Sequence, residues 1–192
     1  MNLLKICAMG AILFIVAACA TNKAPLKMTK TVTPTSPIEN GDYYAKRRAA
    51  GEDLPERRGS EFIEIRTYHK VATEKNGQKS TKREELTDVN CILKGDGFRA
   101  EFITPAQIEV PDYGYASSSL RIECKHPGYN TAFHNTKPYD IDKESRMNSS
   151  TSGGLLGVFV VAAINAADDE KNNNFGYRPA DILLIKKEEA SE

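Results

Sequence analysis

The sequence predicts a mainly β fold, a small antiparallel β-sandwich with one apolar helix near the C-terminus. Three observations carry this. Short segments between residues 60 and 187 alternate apolar and polar side chains with period two, turn residues punctuate them at regular spacing, and one long apolar run, Leu155 to Ala167, breaks the pattern.

Ile63, Ile65 and Thr67 alternate with Phe62, Glu64 and Arg66, the period of a strand. Asn76-Gly77 tolerates positive φ at both positions and suits a tight hairpin turn. The return strand is expected over Leu86 to Leu93, with Thr87, Val89, Cys91 and Leu93 on one face. Gly95-Asp96-Gly97 turns the chain, and Phe98, Ala100, Phe102 and Thr104 then face one way against Arg99, Glu101 and Ile103. Beyond Pro105, Gln107 to Val110 suits a short edge strand, and Pro111-Asp112-Tyr113-Gly114 is a turn by composition.

From Ser118 to Lys125, Leu120, Ile122 and Cys124 share a face. Tyr129, Thr131 and Phe133 suggest one more strand, residues 135–152 read as polar loop, and Asp181 to Lys186 reads as a last strand buried on both faces. The thirteen residues from Leu155 span about 20 Å as a helix, short of a bilayer core. Core helix and interaction helix remain alternatives there, with Leu155 and Phe159 as the contacts in the second case.

The N-terminus carries an address. Met1 and Lys5 form a short positive region, Ile6 to Ala18 is apolar, and polar Thr21-Asn22-Lys23 comes next, the layout of a secretory signal too short to span. The signal ends in Val16-Ala17-Ala18-Cys19, which resembles the bacterial lipobox. That resemblance implies a signal peptide over 1–18 and an acylated Cys19 as first mature residue, held by several buried acyl chains where one binds only marginally. Ala20, in place of an aspartate, resembles the pattern of lipoproteins carried to an outer membrane, so the expected location is the cell envelope, lipid-anchored, on the periplasmic or surface face.

Residues 19–59 read as a flexible tether, with Pro25, Pro34, Pro37 and Pro55 among Lys, Arg, Thr and Ser. Arg47 and Arg48 make it basic, and contact with acidic headgroups or an anionic wall polymer stands beside the simpler reading of a solvated spacer. The domain proper is then 60–187, with 188–192 a solvated tail.

Composition narrows the classes. The 26 Lys and Arg balance 26 Asp and Glu, leaving no basic footprint for nucleic acid. Four cysteines reduce to two once Cys7 leaves with the signal and Cys19 takes lipid. In an exported domain Cys91 and Cys124, both on inward faces, are expected to form a disulfide, with a two-cysteine metal site or free thiols as the alternatives.

Leu120 to Tyr129, ending in Pro-Gly-Tyr, is similar to the strand-then-turn ending of PEGA-like surface lipoprotein domains, and Gly153 to Ile185 is similar to the C-terminal part of such lipoproteins. The Pro-Glu-Gly-Ala signature itself is absent. The resemblance implies a non-enzymatic envelope module and brings no catalytic residues.

The chemistry-bearing residues agree with that expectation. His69, His126 and His134 lack metal-ligand spacing, Ser117-Ser118-Ser119 lacks the glycines of a nucleophile elbow, and no Gly-rich phosphate loop links a strand to a helix. No catalytic residue, metal site or cofactor is therefore expected. The functional expectation is a membrane-anchored binding or assembly module for an envelope protein, with Tyr113, Tyr115, Leu155, Phe159, Arg47 and Arg48 as candidate contacts. A cell-wall glycan adaptor and, further off, a periplasmic hydrolase are the alternatives.

Overall fold

The computed structural model describes residues 23–150 and 170–187. In chain order they form β1 (Met28–Thr31), β2 (Thr33–Pro34), α1 (Ala45–Ala49), β3 (Gly59–Lys75), β4 (Gln78–Glu85), β5 (Asn90–Lys94), β6 (Phe98–Ile103) and β7 (Ala106–Asp112). A single 3-10 turn, Gly114–Ala116, precedes β8 (Leu120–Lys125), β9 (Ala132–Thr136), β10 (Tyr139–Asp140) and α2 (Ile141–Ser150). Another, Glu170–Asn172, precedes β11 (Phe175–Gly176) and β12 (Ala180–Leu184).

The described residues are mainly β. One five-stranded sheet runs β1-β7-β3-β12 with β4 also on β3, the second runs β2-β6-β5-β8-β9, and β10 pairs β11. The long β3 organises the first sheet: β7 takes one of its edges over Gly59–Ile65, β12 takes the opposite edge over Ile65–His69, and β4 pairs Tyr68–Lys75. Inward residues of both sheets, among them Ile63, Ile65, Ile108 and Ile182 from the first and Leu93, Phe98, Leu120 and Ile122 from the second, belong to one buried cluster. Alternation therefore places the core where the sequence pattern put it.

Several elements agree closely with expectation. Asn76 (φ 54°) and Gly77 (φ 75°) close the β3–β4 hairpin with the left-handed pair that such a turn requires. β6 is buried at Phe98, Ala100 and Phe102 and exposed at the positions between. Cys91 and Cys124 stand directly opposite each other on β5 and β8, their Cα atoms 4.1 Å apart, and form a disulfide.

Other expectations are corrected. The flexible tether fails from Ala24 onward: Ala24 is hydrogen-bonded to Arg66 and Glu85, β1 pairs with β7, β2 with β6, Val32 is buried, and Tyr44 is 2 % exposed. Main-chain hydrogen bonding and two anchoring side chains hold this segment, so it shows no apolar period. Wholly antiparallel pairing fails at two places, because β1 runs parallel to β7 and β12 parallel to β3. Neither pair is joined by a short connection, and only hairpins force antiparallel neighbours.

Residues 106–112 are no edge strand but lie between β1 and β3. The expected return strand from Leu86 to Leu93 is corrected: the strand that returns along β3 is β4 (Gln78–Glu85), residues 86–89 lie outside any strand with Asp88 at φ 65°, and only Asn90–Leu93 are strand, as part of β5 in the second sheet. β12 is buried on one face only, with Leu183 38 % exposed.

The stretch 135–152 is not all loop. Asp140 caps α2, its Oδ1 accepting the Lys143 amide at 2.8 Å, and Asp142 and Glu144 favour the positive end of the helix dipole. The signal peptide 1–18, Cys19, the expected helix 153–167 with Leu155 and Phe159, and the tail 188–192 lie outside the described residues.

Candidate functional site

The place where the N-terminal segment joins the sheet is built from charged residues of β3 and β4. Glu64 and Arg66 alternate with Ile63 and Ile65, so they occupy the face of β3 opposite the core, and Glu85 of β4 comes beside them through the pairing of Tyr68 with Glu85. Arg66 is nevertheless 5 % exposed, because residues around Ala24 cover it. Its Nη1 donates to Glu85 at 2.6 Å and to the Ala24 carbonyl at 2.7 Å, and its Nε donates to Glu64. The Ala24 amide in turn donates to Glu85 Oε2 at 2.9 Å.

Ala24 is thus gripped at both backbone groups by one ion pair. Burial alone would lower the Arg66 pKa, but the bonds to Glu64 and Glu85 outweigh it and raise it, so the guanidinium stays charged. The clamp ties the start of the described residues to β3 and β4.

A second junction secures residues 35–58. Asp42 accepts the Tyr113 hydroxyl at 2.8 Å, the Tyr44 amide at 3.0 Å, and Arg48. The Tyr113 hydroxyl also accepts the Tyr43 amide at 2.7 Å, and the Tyr44 ring stacks on Tyr113 with centroids 4.1 Å apart. Burial raises the Asp42 carboxyl, yet the hydrogen bonds from Arg48 and Tyr113 prevail and hold it below the ordinary carboxylate range. Burial pushes the Tyr44 hydroxyl up to about 12 and raises Tyr113 and Tyr177 as well.

The loop behind Tyr113 depends on a glycine. Gly114 has φ 58°, and a Cβ there would stand 2.6 Å from the Arg58 guanidinium carbon; Arg58 donates onward through Nη1 to the Asn173 carbonyl at 2.8 Å.

These facts reassign the expected contacts. Tyr113 is 1 % exposed and is a packing and hydrogen-bonding residue, so it presents no surface to a partner. Tyr115 is half-buried, with the Lys171 ammonium 6.0 Å from its ring centroid. Arg48 is spent on Asp42 and the Pro55 carbonyl, and Arg47 on Glu52 and Asp96, so neither forms a free basic patch. Sequence reading missed Glu64, Arg66 and Glu85. The alternation Glu64-x-Arg66 was a visible signal, but it is also what a solvated strand face shows.

Among the described residues no group of three or more His, Cys, Asp or Glu is arranged to hold a metal ion, and no helix is long and apolar enough to cross a membrane. His69 Nδ1 lies 2.8 Å from the Tyr129 hydroxyl, and the His126 ring packs edge-on against the same tyrosine. No protein-family model, curated protein or solved structure matches this chain.

Proposed function

We propose that this chain is a membrane-anchored envelope lipoprotein, acylated at Cys19 and cleaved before it, whose β domain serves as a non-enzymatic binding or assembly module for an envelope partner. One observation carries the reading: Val16-Ala17-Ala18-Cys19 stands at the end of a complete positive and apolar signal. The Cys91–Cys124 disulfide supports it, since such bonds persist in oxidising compartments outside the cytoplasm. Two five-stranded sheets whose inner faces contribute to one buried cluster support a sandwich architecture for the exported domain. The apolar run 153–167 belongs to the same proposal, as a helix packed on that domain or docked on the partner.

The test is fractionation of cells making the full chain or its Cys19→Ala variant, grown with radiolabelled palmitate. The proposal expects label and membrane association for the natural sequence and neither for the variant. An unlabelled natural chain, or equal membrane association of both, overturns it.

A further inference from the structure

We propose that the far end of the β3–β4 hairpin is a cationic arm that lies on an anionic lipid surface when the chain is anchored through Cys19. The inference rests on the lipoprotein reading and adds to it which surface faces the membrane.

Beyond His69, the last residue of β3 paired with β12, residues 70–75 pair only with 78–83. Six residues of strand project about 20 Å. The arm carries Lys70, Lys75, Lys79, Lys82 and Arg83 against Glu74 alone. In register, Lys70 stands directly opposite Arg83, a like-charge pair that costs stability in isolation. Arg83 is partly offset by Asp181 at 3.2 Å, and Lys82 by Glu84 at 3.6 Å. Every residue of β4 from Gln78 to Arg83 is exposed, as are Lys70, Ala72, Glu74 and Lys75 of β3, whereas Val71 and Thr73 are half-buried.

The position of the arm supplies the occupant. Ala24 is clamped at its base by Arg66 and Glu85, and Lys23 shares a shallow cleft with Lys82 and Arg83. Only five residue steps separate Cys19 from Ala24, and a chain fully extended reaches about 3.6 Å per residue, so the clamp lies within about 18 Å of the acylated cysteine. A lipid anchor therefore holds the base of the arm at a distance no greater than the arm's own length. Each lysine brought to an anionic leaflet strengthens association about fivefold, and the attraction decays within a Debye length.

The test uses the protein extracted from its own membranes and reconstituted in vesicles of phosphatidylcholine, with and without phosphatidylglycerol as the anionic lipid. Amide hydrogen exchange of residues 70–83 is compared between the natural sequence, the variant with Lys70, Lys75, Lys79 and Lys82 each changed to Gln, and Glu74→Lys. Protection of the arm is expected only on the anionic vesicles, to vanish in high salt, to fall at least tenfold in the four-lysine variant and to rise in Glu74→Lys. Equal protection on both vesicle types, none on either, or protection by purified anionic wall polymer in place of vesicles overturns it. Flotation with pure phosphatidylcholine vesicles reads the acyl anchor by itself: a natural chain that fails to float refutes the lipoprotein reading, whereas one that floats with an unprotected arm refutes only the arm.

Discussion

Replacing Glu85 by alanine removes one partner of a buried cation and one of the two bonds gripping Ala24. The Arg66 side chain is 6 % exposed, its Glu85 partner 12 % and its Glu64 partner 32 %, so the Glu85 bond is the better shielded of the two. Deleting one member of a buried pair costs about 3–5 kcal/mol when the other is left uncompensated. Glu64 and the Ala24 carbonyl remain to receive Arg66, so we expect Glu85→Ala to cost about 2–3 kcal/mol, against about 1 kcal/mol or less for Glu64→Ala.

The assay is urea unfolding with the disulfide intact. With a denaturant slope of about 2 kcal/mol per molar, the midpoint of Glu85→Ala falls by about 1–1.5 M. Amide exchange at Ala24 should accelerate in the same variant, because its acceptor is gone. A midpoint shift no larger than that of Glu64→Ala, or an unchanged Ala24 amide, would refute the clamp as the structural origin of the ordered N-terminal segment.

Other predictions are independent of that pair. The Thr67 hydroxyl donates to the Leu86 carbonyl at 2.5 Å, which leaves the buried Thr104 hydroxyl to donate to Thr67 at 2.6 Å, so Thr67→Val should cost about 1–3 kcal/mol in urea by stranding both groups. Joint replacement of Cys91 and Cys124 by alanine opens a closure of sequence separation 33 and should cost about 3–4 kcal/mol by loop-closure entropy, read as a lowered thermal midpoint that reductant no longer changes. Asp42 is depressed in the folded state, so its stabilisation is complete above the unfolded carboxylate value of about 4 and is lost as pH falls through the folded value. An acid titration of stability should lose part of its slope in Asp42→Asn. Tyr44, raised to about 12, stabilises fully below about 10 and loses that contribution as pH rises through its folded value; tyrosinate absorbance and circular dichroism should therefore show its ionisation accompanying alkaline unfolding, whereas ionisation of every tyrosine near 10 in a folded chain would contradict its burial.

The sequence displayed those parts of the fold in which side chains alone carry the information. Phe98, Ala100 and Phe102 alternate because one face of β6 is core, and Cys91 and Cys124 could be paired because each sits on an apolar face. It hid the parts held by backbone or by polar contacts. β1 reads Met-Thr-Lys-Thr with only its first residue partly buried, and its hydrogen bonds to β7 leave no trace in composition. Tyr113 looked like an aromatic at an exposed turn, yet Asp42, 71 positions earlier, takes it inside. α2 was masked by its polarity, although Asp140 three residues before Lys143 is a recognisable cap. The junction at Ala24 was the least legible of all, since its partners on β3 and β4 lie 42 and 61 residues away and the alanine contributes only its backbone.

The measurement that bears most directly on the account is intact and fragment mass spectrometry of the protein extracted from its own membranes. The account predicts a mature chain beginning at Cys19 and bearing a diacylglyceryl thioether and an acylated amino group, with the Cys91–Cys124 bond oxidised. A chain that retains residues 1–18, or one that begins elsewhere with Cys19 absent or unmodified, would contradict it.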